Sequence, residues 1–430
     1  MKKGLLLSMA ASAVIFAGGD IAPVEPAAPA SADFWGQVGF RYEWNDNGAA
    51  LDLGDKENNK FSAVAILGVE KQLAYGFGFG VEVAGWSDFG FDIADNAAVS
   101  GEIYNGSYDQ TDAEVSQAYL TYTFGNTAIK AGRQALPKAV SPWAWSDRSA
   151  GVLDIAYDAI VIANTDIQDT TLVGAWVANA VNGNSPTHLG ESNEGIWMLA
   201  AVNKSLANTT LTVSAYYAPN FNLTDATQRG NFPATAGLTS DDEWSIWASA
   251  VTNFDGVTAG LQLAYVDGSV DYIDTANPAD DHSLDATFGI AGKIGSQWGD
   301  LDATAYVYYI NDGEYSLKTA GTGVGTSAFW GSSIGGHFGG DTAYGYSQWG
   351  LRATAGYKLP VGKLWGELAY VDYDEKDPGD HDNTWGGRIG YNFTIAGVDA
   401  SVQYRYWSED YKDSKSLDKQ RIRVEAYYKF

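Results

Sequence analysis

Arginine recurs near the end of the chain at a spacing that suits one face of a β-strand. Arg421 and Arg423 are two residues apart, and Arg405 and Arg388 occupy matching positions in the two preceding segments. Residues two apart lie on the same face of a strand, so these guanidinium groups would form a row along a sheet. Such a row sets up a field that orders water and steers charged solutes.

Residue patterns for covalent or metal chemistry are missing from the sequence. There is no Cys among the 430 residues, which excludes thiolate chemistry and disulfides. Neither a Gly-x-Ser-x-Gly elbow nor a Gly-rich phosphate loop after a strand occurs. The acidic loops 267–281 and 372–382 do not match the calcium-loop spacing. We therefore predict no enzyme, no dedicated metal site and no cofactor, with loosely held divalent cations between acidic loops and lipid phosphates.

The composition indicates a protein that lies at a boundary between water and lipid. Acidic residues outnumber basic ones 53 to 26, and the net charge of -27 argues against nucleic acid as a partner. Hydrophobic residues make up 45% and aromatic residues 13%, with 15 Trp and 26 Tyr. Rings with one polar edge suit a membrane interface.

The elements that must position the charges are alternating segments of about ten residues, the length of a membrane-spanning strand. In the segment from Val257, apolar Leu261 and Leu263 alternate with Thr258, Gly260 and Gln262. The pattern predicts an all-β transmembrane antiparallel barrel of about eighteen strands, with sixteen as the alternative. The segments begin near Phe34, Lys60, Gly76, Glu114, Thr127, Ala156, Thr170, Glu194, Thr209, Asp242, Val257, Leu284, Asp300, Gln348, Lys363, Thr384, Gly397 and Lys419.

Connections between the segments alternate between tight turns and long polar loops. Tight turns are predicted at Gly125-Asn126, Phe254-Asp255-Gly256, 359–362 and Ile395-Ala396. Short turns in the periplasm and long loops outside are typical of an outer-membrane barrel. A soluble β-sandwich is the alternative, but no linker divides the chain into units of about 100 residues.

The two ends of the chain indicate export and assembly. Lys2 and Lys3 precede a short apolar run, so residues 1–19 are predicted to be a signal peptide and 20–33 a Pro/Ala-rich periplasmic tail. Cleavage after Ala30-Ser31-Ala32 is the alternative. Residues 34–430 form the predicted barrel domain. The terminal Phe430 closes an alternating strand that can pair with the first strand. We interpret Phe430 as a signal for assembly into the membrane.

Polar-face charges become pore-lining candidates if the apolar face meets lipid. Opposed charges on two walls produce a transverse field, a physical basis for selective permeation. The alternative is that the arginines only fill and solvate a polar interior. The basic candidates are Arg41, Arg352, Arg388, Arg405, Arg421 and Arg423, and the acidic ones are Glu43, Glu82, Asp302 and Glu367.

A constriction is predicted in the third long connection, residues 134–155. It contains two Pro, two Trp and four charges: Lys138, Asp147, Arg148 and Asp154. An eighteen-stranded barrel is wide enough for a water channel, so an inward fold of this connection would narrow it. A packed external loop at a subunit contact is the alternative.

Three stretches carry a family resemblance. The leader running into AGGDIAPVEP, the segment SQAYLTYTFGNTAIKAGRQ and the closing RIRVEAYYKF resemble the Campylobacter-type major outer membrane porins of epsilon-class proteobacteria. The resemblance implies an eighteen-stranded homotrimeric porin that passes small hydrophilic solutes with a preference for cations. The predicted partners of such a barrel are outer-membrane lipid, lipopolysaccharide and the barrel-assembly machinery.

The predicted function is passive diffusion of ions and small hydrophilic solutes through a water-filled channel in the bacterial outer membrane. Acidic loops at the mouth favour cations and the arginines oppose them, so the expected cation preference is mild. The alternative is a surface adhesin or binding barrel without significant conductance.

Overall fold

The computed structural model describes residues 32–46, 59–87, 89, 112–142, 146, 155–182, 185–188, 194–221, 236–238, 241–274, 281–315, 317, 330, 347–373, 381–412 and 416–430. Eighteen strands run through these residues, as the alternation predicts. They are β1 (Asp33–Asp46), β2 (Asn59–Gln72), β3 (Phe77–Ser87), β4 (Asp112–Phe124), β5 (Thr127–Gln134), β6 (Ala156–Asn164), β7 (Thr170–Asn182), β8 (Ile196–Asn203), β9 (Thr209–Phe221), β10 (Asp241–Phe254), β11 (Val257–Gly268), β12 (Thr287–Trp298), β13 (Leu301–Ile310), β14 (Gln348–Lys358), β15 (Lys363–Tyr373), β16 (His381–Ile395), β17 (Val398–Tyr411) and β18 (Leu417–Lys429).

The strands form one closed antiparallel barrel. Each pairs with its neighbour in the chain, and β1 pairs with both β2 and β18. Gly36 and Phe430 exchange two backbone hydrogen bonds of 2.8 and 3.0 Å where the first and last strands meet. Closure leaves the barrel without a free sheet edge. The eighteen-strand prediction is confirmed, and the sixteen-strand alternative is wrong.

Side chains alternate between an exposed outer face and a covered interior. On β11, Leu261 and Leu263 are 47% and 49% exposed, whereas Gln262 and Ala264 are 3% exposed. Aromatic pairs ring the outer face near the ends of the strands opposite the short turns: Trp244–Tyr265, Phe288–Tyr309, Trp349–Tyr370 and Trp385–Tyr406. An apolar outer band with aromatic girdles suits a bilayer.

Most short connections lie at one end of the barrel. Eight connections of two to five residues lie there, among them the predicted turns at 125–126 and 359–362, and residues 255–256 of the turn predicted at 254–256. The turn predicted at Ile395-Ala396 lies one residue later, at 396–397. A ninth connection, the five residues 412–416 between β17 and β18, lies at the opposite end. Asp255 and Gly256 have φ values of 45° and 79°, the left-handed pair that a type I′ hairpin requires. A single 3-10 turn, Ala74–Gly76, joins β2 to β3.

Short additional strands lie at the opposite end of the barrel. Ser185–His188 folds back on β7, and Ala236–Leu238, Asp271–Asp274 and His282–Ser283 form a separate three-stranded sheet. Within the described residues no helix is long and apolar enough to cross a membrane. The predicted signal peptide and nearly all of the predicted tail lie outside the described residues, so those boundaries stay predictions.

Candidate permeation pathway

One interior wall of the barrel carries all six arginines that the sequence singles out. They come from β14, β16, β17, β18 and β1, at positions that alternate with exposed outer residues. Arg388 on β16 stands opposite Arg405 on β17, and Arg405 stands opposite Arg421 on β18. Arg405 and Arg421 are 6% and 7% exposed. Like charges in direct cross-strand register destabilise a sheet, so this wall needs compensating groups.

Glu367 on β15 supplies part of that compensation. Its Oε2 accepts hydrogen bonds from Arg352 Nε at 2.7 Å and from Arg388 Nη2 at 3.1 Å. The Glu367 side chain is only 2% exposed. Three of the arginines also lie over aromatic rings. The Cζ atom of Arg352 is 4.8 Å from the ring centroid of Tyr306. The Cζ atom of Arg388 is 5.3 Å from the ring centroid of Trp365, and that of Arg405 is 5.3 Å from the ring centroid of Trp407. These cation–π contacts hold the guanidinium planes against the wall.

The seam between β1 and β18 continues the arginine wall. Arg423 donates to Glu43, and Arg41 Nε donates to Glu425 Oε2 at 3.1 Å. Ser401 Oγ also donates to Glu425, at 3.1 Å. Sequence reasoning missed Glu425, although it shares the alternation phase of Arg421 and Arg423.

The acidic candidates do not form a single wall opposite the arginines. Glu43 and Glu367 are interleaved with the arginines and paired to them, since cross-strand register brings them side by side. Asp302 lies near the turn end of β13, where its Oδ2 is 2.7 Å from Lys363 Nζ. Of the four acidic candidates, Glu82 alone lies away from the basic side chains of β14–β18.

Glu82 belongs to an acidic and aromatic cluster on β2–β5. Its carboxylate accepts hydrogen bonds from Ser116 Oγ at 2.6 Å and Gln117 Nε2 at 3.0 Å. Nearby, the Tyr119 hydroxyl donates to Glu70, and Lys130 Nζ lies 3.6 Å from the Tyr119 ring centroid. This cluster adjoins the arginine wall through the pairing of β1 with β2.

Gly80 is the residue that lets Tyr119 reach Glu70. It lies on β3, between the strand of Tyr119 and the strand of Glu70. The ring of Tyr119 lies across the space that a side chain at Gly80 would occupy. The sequence gives Gly80 only as one glycine among 50, so this crossing was not predicted.

The predicted constriction loop enters the barrel. Leu136 and Val140 are 2% and 4% exposed and join a cluster of apolar interior side chains. Ser141 Oγ lies 3.3 Å from the hydroxyl of Tyr216, an interior residue of β9. The loop therefore crosses the interior from β5 to β9, which favours the inward arrangement over an external loop. Lys138 is exposed, whereas Asp147, Arg148 and Asp154 lie outside the described residues.

A broad interior wall beneath this loop is apolar. Its side chains come from strands β6–β11 and are nearly all below 8% exposure. They include Tyr157, Ala159, Val173, Val177, Met198, Ala218, Trp247 and Val266. These apolar side chains contrast with the charged side chains that β14–β18 and β1–β5 present to the interior.

Residues after β13 also contact the interior. The backbone N–H of Trp330 donates to Gln262 Oε1 at 2.8 Å, and its ring centroid lies 4.5 Å from Lys293 Nζ. At the base of the same connection, the Tyr315 hydroxyl accepts a hydrogen bond of 3.3 Å from Val270 N–H. Burial raises the pKa of Tyr315, and its hydroxyl anchors the connection through the hydrogen bond from Val270 N–H.

Comparison by sequence finds no relative: no protein-family model matches the chain, and no curated protein matches it. Comparison by structure finds solved proteins of similar fold. The outer membrane protein opdK of Pseudomonas aeruginosa superposes with a TM-score of 0.64 over 93% of this chain and 99% of its own, at 13% identity. The chain has the fold of opdK. OccAB1 of Acinetobacter baumannii matches with a TM-score of 0.65 and 12% identity over 93% and 97% of the two chains, and Pseudomonas aeruginosa OpdL with 0.64 and 13% over 93% and 98%.

No described residues form a cluster of three or more His, Cys, Asp or Glu side chains able to hold a metal ion. The charges described above pair mostly with one another.

Proposed function

We propose that the protein is an outer-membrane porin, a water-filled channel for passive diffusion of ions and small hydrophilic solutes. The observation that carries this proposal is the contrast between the two faces of one closed barrel. The outer face presents apolar and aromatic side chains, while the interior presents arginines and carboxylates beside inward-folded loops. A lipid-exposed barrel with a charged interior serves to pass polar solutes.

Orientation follows from the connections. The short turns face the periplasm and the longer loops face outward, because both chain ends emerge on the turn side of a barrel with an even strand number. Outer-membrane lipid and lipopolysaccharide then surround the barrel, and the barrel-assembly machinery inserts it. A homotrimer and membership of the Campylobacter-type porins remain proposals supported by the sequence resemblance.

Selectivity is proposed to be a mild preference for cations. The net charge of -27 places a negative potential around the mouths, which salt screens beyond about 8 to 10 Å. The arginine wall repels cations inside the channel. Wall charge within a few ångströms of a solute opposes the mouth potential, so the net preference is small and depends on salt.

Catalysis and cofactor binding are not part of the proposal. The sequence contains no Gly-x-Ser-x-Gly elbow and no Cys nucleophile, and the described interior charges are arranged largely as ion pairs along a wall. Divalent cations held loosely by the acidic outer loops are proposed as the only bound ions.

Conductance in a planar bilayer tests the function. Purified, folded protein is added to one chamber, and stepwise current increases with a linear current–voltage relation are expected. The matched control is protein unfolded by heating, which should give no steps. Folded barrel that inserts into the bilayer without conducting would favour the alternative, a surface adhesin or binding barrel.

A further inference from the structure

A cavity of about 800 Å³ lies inside the barrel at the turn end of β15–β18. Its side chains face inward, because they alternate along each strand with the exposed outer residues Leu364, Ile389 and Val402. The cavity has the size of a small-molecule site, for which about 300 to 1,000 Å³ is usual. We refer to it as the turn-end cavity. Its lining includes Trp365, Asn392, Ser401, Gln403, Arg423 and Glu425.

An indole ring held against the wall forms one side of the turn-end cavity. Trp365 on β15 stands opposite Gly390 on β16, and a Cβ atom at Gly390 would lie only 2.5 to 2.9 Å from three atoms of the indole. The ring therefore lies across the backbone at Gly390. Its Nε1 donates to Asn392 Oδ1 at 3.0 Å, which holds the ring in this position. One face of the indole is thus covered by β16, and the other face lines the cavity.

Neutral hydrogen-bonding groups lie beside the ring. Asn392 on β16 stands opposite Ser401 on β17, and Gly390 stands opposite Gln403. The Asn392 side-chain oxygen accepts from the indole, so its amide nitrogen remains to donate. Ser401 Oγ donates to Glu425 at 3.1 Å, so this oxygen remains to accept. The Gln403 amide adds both a donor and an acceptor.

The charged side chains of the cavity are already paired. Five charged residues line it, and four of them have an ion-pair partner. The pairs are Lys363–Asp302, Arg388–Glu367, Arg423–Glu43 and Glu425–Arg41. The fifth, Asp399, accepts a hydrogen bond of 2.7 Å from the Thr394 hydroxyl. A carboxylate that enters the cavity must compete with a resident carboxylate for its cation, so the cavity suits a neutral solute better than an anion.

We propose that the turn-end cavity is a binding subsite for neutral pyranose sugars that leave the channel. The proposal rests on the porin function proposed above. A pyranose ring has an apolar face of C–H groups, which matches the free face of the Trp365 indole. Its hydroxyl groups both donate and accept, as the side chains of Asn392, Ser401 and Gln403 do. An aromatic wall with a few placed polar groups is the usual construction of a small-molecule site.

Two other kinds of solute match only half of this site. Sorbitol, an acyclic polyol, has the hydroxyl groups but no rigid apolar face for the indole. Benzoate has a flat face, but its carboxylate finds the cations of the cavity paired, and its ring leaves the amides without partners. A hydrogen-bonding group that loses its partners on binding costs free energy. The site therefore predicts tighter binding of a sugar than of either comparison compound.

Blocking of single-channel current tests this order. Maltose, sorbitol and benzoate are added separately to each chamber of a bilayer that contains the folded protein. We expect maltose to interrupt the current at a several-fold lower concentration than sorbitol or benzoate. Trp365→Ala should raise the blocking concentration of maltose several-fold. Trp35→Ala is the matched control, since the Trp35 indole lies across Gly68 in the same manner but outside the cavity lining.

A glycine variant tests the position of the ring without removing it. Gly390→Ala places a Cβ atom where the Trp365 indole lies, so the ring must move away from the wall. The blocking concentration of maltose should then rise several-fold, as in Trp365→Ala. Heat-modifiable migration in gel electrophoresis shows whether each variant barrel is folded.

Saturation-transfer NMR tests sugar binding without relying on conductance. Folded protein in a detergent without a sugar headgroup is irradiated, and transfer to the C–H protons of maltose is recorded. Transfer should fall several-fold in Trp365→Ala and stay at the parent level in Trp35→Ala.

Four outcomes bear against these proposals. Equal blocking by maltose and sorbitol would overturn the role of the indole face. Stronger blocking by benzoate, lost in Trp365→Ala, would assign the cavity to aromatic acids instead of sugars. Saturation transfer that is equal in Trp365→Ala and the parent would place the sugar elsewhere. Lack of conductance in the parent would reject the porin function alone, because saturation transfer still reports on the cavity.

Discussion

Arg388 and Arg405 lie directly opposite each other across β16 and β17 inside the barrel. Two guanidinium groups in cross-strand register repel each other. Glu367 accepts from Arg388 on one side, and the rings of Trp365 and Trp407 lie against the two cations. The pair is thus held in place while still projecting positive charge into the interior.

Neutralising this pair should strengthen the preference for cations. Arg388→Gln with Arg405→Gln removes two positive charges from the wall, so reversal potentials should shift toward cation selectivity. The shift should be larger at 0.01 M salt, where the screening length is about 30 Å, than at 1 M, where it is about 3 Å. Lys204→Gln with Lys358→Gln, at the turn end, is the control with the same net charge. Unaltered conductance and reversal potential would show that the two arginines do not line the path.

Removing the carboxylate between Arg352 and Arg388 should destabilise the barrel. Glu367→Gln leaves two largely covered guanidinium groups without their shared counterion. Breaking a buried ion pair costs about 3 to 5 kcal/mol of unfolding free energy. We expect a lower midpoint in urea unfolding from detergent and a shift toward anion selectivity. Asp302→Gln, at a half-exposed pair, serves as the control, and an equal loss in both variants would refute the special role of Glu367.

The apolar anchor of the constriction loop should control conductance. Val140→Asp places a charge among Leu136, Tyr216 and the apolar wall, which should detach the loop and raise single-channel conductance. Burial of an unpaired carboxylate among apolar side chains is strongly unfavourable. Val361→Asp, at an exposed turn residue, should leave conductance unchanged. A conductance that is unchanged or lower in correctly folded Val140→Asp would argue that the loop does not narrow the path.

The terminal aromatic residue should be needed for assembly. Phe430 exchanges two backbone hydrogen bonds with Gly36, and its ring lies 6.1 Å from that of Tyr428 on the outer face. Deleting Phe430 or replacing it with Glu should leave most of the protein in the periplasm. Phe430→Tyr should assemble normally, since it keeps an aromatic ring at the interface. Wild-type amounts of heat-modifiable protein in the membrane for the Glu variant would contradict this prediction.

Surface labelling should establish the orientation of the barrel. A Cys at the exposed residue Asp285, in the connection from β11 to β12, should react with an impermeant maleimide on intact cells. A Cys at Asn126, in the turn from β4 to β5, should react only after the outer membrane is opened. The opposite labelling pattern would place the short turns outside.

The sequence predicts the barrel well because alternation records which face each residue occupies. Arg421 and Arg423 share one phase, and that phase faces the interior. Contacts between distant segments cannot be predicted from alternation. The crossing of Tyr119 over Gly80, the pairing of Glu425 with Arg41 and the approach of Ser141 to Tyr216 depend on register and loop path, which local periodicity does not encode. The two-wall expectation failed for Glu43 and Glu367 for the same reason.

Closure of the barrel through β1 and β18 also constrains how the molecule folds. The Arg41–Glu425 pair joins residues 384 positions apart in the chain, and formation of such distant contacts is slow because a long loop must close first. The first strand to leave the ribosome is paired on both sides only when the last one arrives. Closure of the barrel is therefore a late step, and the open edges of the chain must be protected from aggregation until it occurs.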